Sequence, residues 1–322
     1  MRVLVTGGAG FIGSHFIRRI LASEDIEKVI NVDKLTYAGN LTNTADFSND
    51  PKYQFLQEDI LNVKKMVETV LTCGIDTIVN FAAESHVDRS IDRPSAFIDT
   101  NVRGTESLLH TARVCEVEKY VQISTDEVYG TLGADGYFTE RSPLLPNSPY
   151  AASKAAADMF VRSYFETYGL PVNITRCSNN YGPCQHPEKL IPLMTMRALN
   201  HESMPVYGDG LNVRDWIHVH DHCRAVEDVM RYGQNGEVYN VGAGEERTNQ
   251  QIVRLILDYL QRPDSLISYV EDRKGHDRRY AIDPSYISSA LGWSPETTFE
   301  EGIKETIDWY QQNQTWWQEP AT

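Results

Sequence analysis

Short apolar runs alternate with helix-length amphipathic segments through the first half of the chain, which predicts an α/β fold on a doubly wound parallel sheet. A glycine-rich turn directly after the first run, answered by an acidic residue ending the second, places a ligand crevice at one edge of that sheet. Further on, two adjacent carboxylates end another run, and a helix opening on Tyr-x-x-x-Lys follows them. Strand ends are where such sheets carry their chemistry, so this one is expected to run a multi-step reaction.

Taken in order, Val3–Val5, Val29–Val32, Phe55–Leu56, Ile78–Phe81, Val121–Ile123 and Val172–Ile174 read as strands. Ser14–Ala22, Val63–Leu71 and Thr105–Val114 read as the intervening helices. Beyond Cys177 the rhythm breaks: Pro183, Pro187, Pro192 and Pro205, with Gly182, Gly208 and Gly210, mark loops and short elements. One further strand is expected near Val238–Val241. The expected division is a cofactor-binding domain over 1–177, with a returning segment near 212–242. Interleaved with it, 178–322 form mainly a smaller, mixed C-terminal substrate-binding lobe. The tail from Gln311 to Thr322 is polar apart from Trp316 and Trp317 and is expected to pack loosely.

Composition narrows the function. Lys plus Arg number 30 against 45 Asp plus Glu, a formal charge of −15, so nucleic acid and anionic membrane are not expected partners. A local arginine cluster can still hold a small anion. Five scattered cysteines (Cys73, Cys115, Cys177, Cys184, Cys223) suit reduced thiols and a cytoplasmic location. The chain opens directly on a strand, so no signal peptide is expected, and no apolar run approaches membrane-spanning length.

Gly7-Gly8-Ala9-Gly10-Phe11-Ile12-Gly13 contains G-x-G-x-x-G between a strand and a helix. Glycines there let backbone approach a pyrophosphate, which then sits on the helix N-terminus. Twenty residues after Gly13, Asp33 ends the second strand, placed to accept from ribose hydroxyls and to repel a 2′-phosphate. The fold is therefore expected to be of Rossmann type and the cofactor NAD, with Lys34 beside the acid. Asp59 and Ile60 suit the adenine edge; Phe81, Ala82 and Ala83 let the dinucleotide cross the sheet edge.

Ser148-Pro149-Tyr150 reads as a helix start, with Ser as N-cap and Pro in the first turn. Tyr150 and Lys154 then share one helix face. A free phenol titrates at about 10; a neighbouring ammonium and an oxidised nicotinamide both favour phenolate. Such a phenolate could take a hydroxyl proton. Adjacent carboxylates Asp126 and Glu127 resist double ionisation in a closed site, so one can be acid and the other base. Thr125 could hydrogen-bond a developing oxyanion.

Gly7–Gly13, Asp33, Thr125 and Tyr150-x-x-x-Lys154 resemble the extended short-chain dehydrogenase/reductase superfamily. Within it, Thr125-Asp126-Glu127, NVDKLTYAGN (31–40), AESHVDRS (83–90) and DRKGHDRRY (272–280) resemble the dTDP-glucose 4,6-dehydratases, over essentially the whole chain. One departure is Lys274, where the pattern has proline. The resemblance implies a hydro-lyase of dTDP-glucose that oxidises C4, eliminates water across C5 and C6, and returns the hydride to C6. Tyr150 would be the first base, Glu127 the C5 base and Asp126 the acid. The same resemblance implies cofactor roles for Leu35, Thr36, Thr100 and Asn180. It puts Ser85 and Asn179 on the sugar. Lys189, Leu190, Pro205, Tyr207, Arg214, Asn249, Asp272, Arg273, His276 and Tyr280 would hold the rest of the substrate.

The rival readings are a nucleotide-sugar 4-epimerase, a dehydratase of another nucleotide sugar, and an NAD-binding sensor. The epimerase does not need the carboxylate pair, and the sensor has no use for it. A homodimer is expected, because Leu108, Leu109 and Ala112 on one helix, and Ala155, Met159 and Phe160 on another, exceed what one sheet face requires. His218-x-His220-x-His222 would share one face of a strand, but no second ligand cluster matches it, so no metal is expected. Ser124 lacks the surroundings of a nucleophile elbow.

Overall fold

The structure is a computed structural model that describes residues 1–318. Its strands are β1 (Arg2–Thr6), β2 (Lys28–Asp33), β3 (Tyr53–Gln57), β4 (Thr77–Asn80), β5 (Lys119–Thr125), β6 (Val172–Cys177), β7 (Asn179–Tyr181), β8 (Met204–Tyr207), β9 (Val213–His218), β10 (Val238–Val241), β11 (Glu246–Thr248) and β12 (Ile267–Val270). The helices are α1 (Phe11–Leu21), α2 (Val63–Cys73), α3 (Val87–Asp92), α4 (Pro94–Phe97), α5 (Gly104–Val114), α6 (Pro149–Tyr168), α7 (Leu190–Leu199), α8 (Val219–Tyr232), α9 (Asn249–Tyr259), α10 (Ser285–Leu291), α11 (Phe299–Gln312) and α12 (Gln314–Gln318).

Seven strands form the main sheet in the order β10-β6-β5-β4-β1-β2-β3, and every pairing is parallel. Strand order reverses between β1 and β4, which opens a crevice at their carboxyl ends. Alternate residues of β1 serve opposite faces. Val3 and Val5 join a cluster with Phe16 and Ile17 of α1 and Val226 of α8. Leu4 joins Ile30, Leu108 and Val161 on the other side. Both faces are therefore covered, which is why the strands read as continuous apolar runs.

After β6 the chain leaves the main sheet and returns through β10, which pairs with β6. Between and beyond lie two small sheets, β11-β9-β7 and β12-β8. A third apolar cluster (Ile191, Met194, Ile252, Ile256, Ile303, Ile307) joins α7, α9 and α11. Among the described residues no helix is long and apolar enough to cross a membrane.

Two expectations are corrected here. The tail is not loose as far as residue 318: it forms α12, Trp316 Nε1 donates to Asn43 Oδ1 (2.9 Å) and Trp317 Nε1 to the Tyr310 carbonyl (3.0 Å). Residues 319–322 lie outside the described part. Leu108, Leu109 and Ala112 are not spare surface; all three are fully buried in the second cluster, because α5 lies flat on the sheet. Met159 and Phe160 of α6 do face outward, 47% and 40% exposed.

Candidate active site

At the crevice the backbone is packed as closely as atoms allow. Gly7 has φ +70°, and a Cβ on it would stand 2.6 Å from the Ala82 nitrogen; one on Gly13 would stand 2.4 Å from the Gly7 carbonyl oxygen. These contacts draw the β1–α1 turn, the end of β4 and the start of α1 together. Gly7, Gly10, Phe11, Ile12 and Gly13 line one end of a cavity of about 300 Å³. That is the small end of the range for ligand sites.

Asp33 is buried at the end of β2. Its Oδ2 accepts from the Ala9 N–H (3.0 Å) and its Oδ1 from the Leu35 N–H (2.8 Å), while burial pushes its carboxyl up from the usual range. Lys34 is tied to Asp59 (Nζ to Oδ2 2.6 Å) and so is not free to greet a 2′-phosphate. Lys34, Thr36, Asp59, Ile60, Phe81, Ala82, Ala83 and Thr100 line the same cavity. Leu35 does not; its backbone turns left-handed (φ 58°), and its amide serves to hold Asp33. This crevice, lined by backbone rather than side chains at its glycine end and with a carboxylate at the β2 end, fits a dinucleotide.

Further along the cavity lie Thr125, Asp126, Glu127, Tyr150 and Lys154. Thr125 ends β5 and caps the single 3₁₀ turn that follows. Its Oγ1 accepts from the Glu127 N–H and donates to Asp126 Oδ1, both at 3.3 Å. Capping forces the two carboxylates apart in direction: Asp126 is 1% exposed, whereas Glu127 opens partly to the cavity. Asp126 is pushed well above the usual carboxylate range, chiefly by burial and then by Glu127 and Asp215. Glu127 is raised by burial as well, but Arg214, Lys189 and Arg273 pull it down. Asp126 therefore keeps its proton in preference to Glu127. The Asp126 Oδ2 atom has no hydrogen-bond partner among the described residues.

Ser148 caps α6, with its Oγ accepting from the Ala151 N–H (3.0 Å), and so aims the first turn at β5. Lys154 does not ion-pair with Tyr150, however. Its Nζ donates to the Ile123 carbonyl (2.5 Å), and burial lowers its ammonium. In the protein alone the Tyr150 phenol is pushed well up, first by burial and then by Glu127; the Thr125 hydroxyl opposes that rise. The expected depression of Tyr150 is thus not built into the protein by Lys154.

Ser85, Asn179, Asn180 and Lys189 also line the cavity, and Lys189 Nζ donates to the Ser85 carbonyl (2.7 Å). The other expected substrate residues fall outside it, and most form one adjoining group. Arg214 lies over the Tyr280 ring (4.3 Å), Arg273 over Tyr207 (5.3 Å), and Tyr207 meets His276 edge-on, which bonds Asp272 (2.7 Å). This group reaches the reaction centre electrostatically, since Arg214 and Arg273 both act on Glu127. Leu190, Pro205 and Asn249 are not drawn in: Leu190 packs on the third cluster, Pro205 sits in β8, and Asn249 starts α9 with its N–H on the Asn212 carbonyl. Lys274 and Gly275 make a turn with φ +66° at the glycine, so the missing proline leaves the turn in place.

The three histidines do not share a strand face, because the chain turns from β9 into α8 at His218. His222 points inward, and its Nδ1 bonds Asn180 Oδ1 (2.8 Å) while Asn180 Nδ2 donates to the Ser178 carbonyl (3.0 Å). The asparagine amide is thereby fixed. His218 and His220 point elsewhere, toward Glu305. Glu84, His186 and Glu188 line the cavity without having been singled out. His186 and Glu188 come from a loop without periodicity, where the sequence offered no pattern to read, whereas Glu84 lies within the AESHVDRS motif (83–90) without having been given a role.

A glycine-lined crevice at the switch point of a parallel sheet, continuous with a buried Tyr, Lys and carboxylate pair, defines a Rossmann-type dinucleotide enzyme with acid-base equipment. The model of the GDP-mannose 4,6 dehydratase family matches residues 4–306, and the chain belongs to that family. Among curated relatives, the low-salt glycan biosynthesis protein Agl12 of Haloferax volcanii is 52% identical, over 96% of this chain and 98% of its own length. A dTDP-glucose 4,6-dehydratase of Xanthomonas campestris pv. campestris is 51% identical, over 97% of this chain and 94% of its own. The dTDP-glucose 4,6-dehydratase DesIV of Streptomyces venezuelae, solved with NAD and TDP bound, superposes with a TM-score of 0.97 at 50% identity, covering all of both chains.

Proposed function

We propose that this chain is an NAD-dependent hydro-lyase converting dTDP-glucose into dTDP-4-keto-6-deoxyglucose, by oxidation at C4, loss of water across C5 and C6, and reduction at C6. One observation supports it above the rest. Two adjacent carboxylates with unequal proton affinity, Asp126 buried and Glu127 partly open, share a strand end, and a cavity, with Tyr150. An epimerase has no use for that pair.

Gly7, Gly10, Phe11, Ile12 and Gly13 would hold the NAD pyrophosphate and Asp33 the ribose hydroxyls, with Lys34, Thr36, Asp59 and Ile60 toward the adenine and Phe81, Ala82, Ala83, Thr100 and Asn180 along the rest. When bound, the cofactor supplies the acceptor and then the donor of hydride, and while oxidised a positive ring that favours phenolate. As the phenolate, Tyr150 takes the proton of the 4-hydroxyl at its phenolate oxygen. Thr125 hydrogen-bonds the C4 oxygen through Oγ1. The ketone so formed acidifies C5, and Glu127 takes that proton. Asp126, still protonated, gives its proton to the departing 6-hydroxyl, and water leaves; Glu127 gives a proton back to C5 when C6 is reduced. Lys154 contributes charge from its place on the Ile123 carbonyl.

Around this centre Ser85 and Asn179 would contact the sugar. Lys189, Arg214, Arg273, His276 and Tyr280 would face the diphosphate, and Tyr207 and Asp272 the nucleoside side. In this reading 1–177, with the segment near 212–242, bind the cofactor and 178–322 mainly the substrate. The protein acts as a homodimer through the outward face of α6, where Met159 and Phe160 stand exposed.

Purified protein incubated with dTDP-glucose in heavy water should yield a 4-keto-6-deoxy product carrying deuterium at C5. Formation of the 4-epimer instead, without loss of water, would overturn the reading.

A further inference from the structure

His218, His220 and Glu305 come from three separate places: the end of β9, the first turn of α8 and the middle of α11. Each offers one ligand atom, and those atoms all lie within 4.8 Å of one another. The His218 side chain is wholly buried, yet neither of its ring nitrogens has a hydrogen-bond partner among the described residues. Its Nε2 faces Glu305 Oε2 at 3.9 Å, too far for a hydrogen bond. An imidazole left unpartnered in the interior forfeits its hydration without replacing it, so such a group calls for a ligand.

Two glycines pack against this ring, where side chains would crowd it. A Cβ on Gly182 would lie 3.5 Å from its Nε2, and one on Gly302, a turn before Glu305, would lie 3.0 Å from its Cδ2. The neighbours that could compete are already engaged. His15 Nε2 donates to the Pro183 carbonyl (2.9 Å), and Asp221 accepts from the Glu296 and Thr297 N–H groups. Arg18, the nearby cation, is neutralised by Asp46 (2.6 Å).

We infer that His218, His220 and Glu305 form a binding site for one divalent transition-metal ion of borderline softness, of which zinc is the best fit, outside the catalytic cavity. Two imidazoles and one carboxylate suit zinc, cobalt(II) and nickel(II) and disfavour magnesium and calcium, which take oxygen. With metal–ligand bonds of about 2.0–2.1 Å, tetrahedral ligand atoms stand about 3.3 Å apart. Closing from 4.8 Å asks only for rotation of His220 and Glu305, both exposed. Water would complete the tetrahedron. The ion would fasten α11, part of the third apolar cluster, to the β9–α8 turn that packs on the main sheet. Its role is that of a clip.

The test is calorimetric titration of the tag-free, full-length holoenzyme with Zn²⁺, alongside the visible absorption of Co²⁺ added in its place. One ion per chain should bind, raise Tm and give the intense band of tetrahedral cobalt. His220→Gln and Glu305→Gln alter exposed side chains and should fold normally. Each should weaken zinc binding by at least about tenfold, because each removes one of three ligands, while turnover of dTDP-glucose stays unchanged. Absence of saturable zinc uptake would overturn the site. So would uptake that neither variant weakens, or variants whose Tm falls equally with and without zinc.

Discussion

At the end of β5 two acids stand side by side with no ion pair of their own among the described residues, Glu127 feeling Arg214, Lys189 and Arg273 only through space, whereas along 272–280 most charges already have a partner. Arg273 grips Asp88 at 2.5 and 2.8 Å, Arg278 pairs with Asp209 and Arg279 with Glu246. Arg214, on β9 beside this segment, bonds among the described residues only the Val213 and Asp277 carbonyls and stacks on Tyr280. The contrast separates charges that chemistry can use from charges that hold loops. Asp126 carries an electrostatic penalty that only a reaction explains, while Arg278 and Arg279 are satisfied as they stand. Counting arginines in the last motif would therefore overestimate the anion site.

The largest effect should come from the unpaired side of this comparison. Glu127→Gln keeps the shape of the site and leaves Tyr150 in place, so kcat should fall by about 10²–10⁴-fold. Bound NADH absorbance should rise on adding dTDP-glucose and persist. Near wild-type dehydration would remove Glu127 from the role of base.

A buried charge that does have its partner sets the next scale. Arg176 Nε holds Asp158 Oδ2 at 2.9 Å with both side chains almost fully enclosed, and Arg176 also donates to the Tyr129 hydroxyl (3.0 Å). This pair fastens α6, which carries Tyr150 and Lys154, to β6. Arg176→Met strands the aspartate and should cost about 3–5 kcal/mol in chemical denaturation. Adding Asp158→Leu should recover much of that loss; no recovery would mean the cost lies in packing.

Between Arg214 and Arg278 the comparison becomes a direct test. Arg214→Gln should weaken binding of dTDP by about 10–100-fold, the worth of one or two charged hydrogen bonds. Arg278→Gln, at an exposed ion pair, should change neither dTDP affinity nor Tm. Equal losses in both would erase the distinction drawn between them.

The smallest effect concerns stability against pH. The folded carboxyl of Asp126 is raised above its unfolded value. Between those two values the native state binds the extra proton, so stability declines as pH climbs through that window. Asp126→Asn removes the penalty. It should raise Tm relative to wild type at pH 8, and the advantage should shrink as pH falls toward the unfolded carboxylate range and be gone below it. A gap independent of pH would place the penalty elsewhere.

Much of this was legible in the chain. The strands of the main sheet, the glycine turn, Asp33 and the α6 start follow from local pattern, because period, glycine and capping act over a few residues. Asp126 and Glu127 are neighbours in sequence, so their mutual repulsion needs no fold to be foreseen. What the sequence could not settle is which charges meet. The Lys154 ammonium goes to the Ile123 carbonyl, and Leu108 and Leu109 go into the core, because β5 and the sheet face happen to lie there. Arg273 finds Asp88 across 185 residues, and Glu305 finds His218 only when α11 folds back over β9. Local propensity is written into the backbone and side chain of each residue. Partner choice is decided by distance and burial, which exist only once the layers have packed.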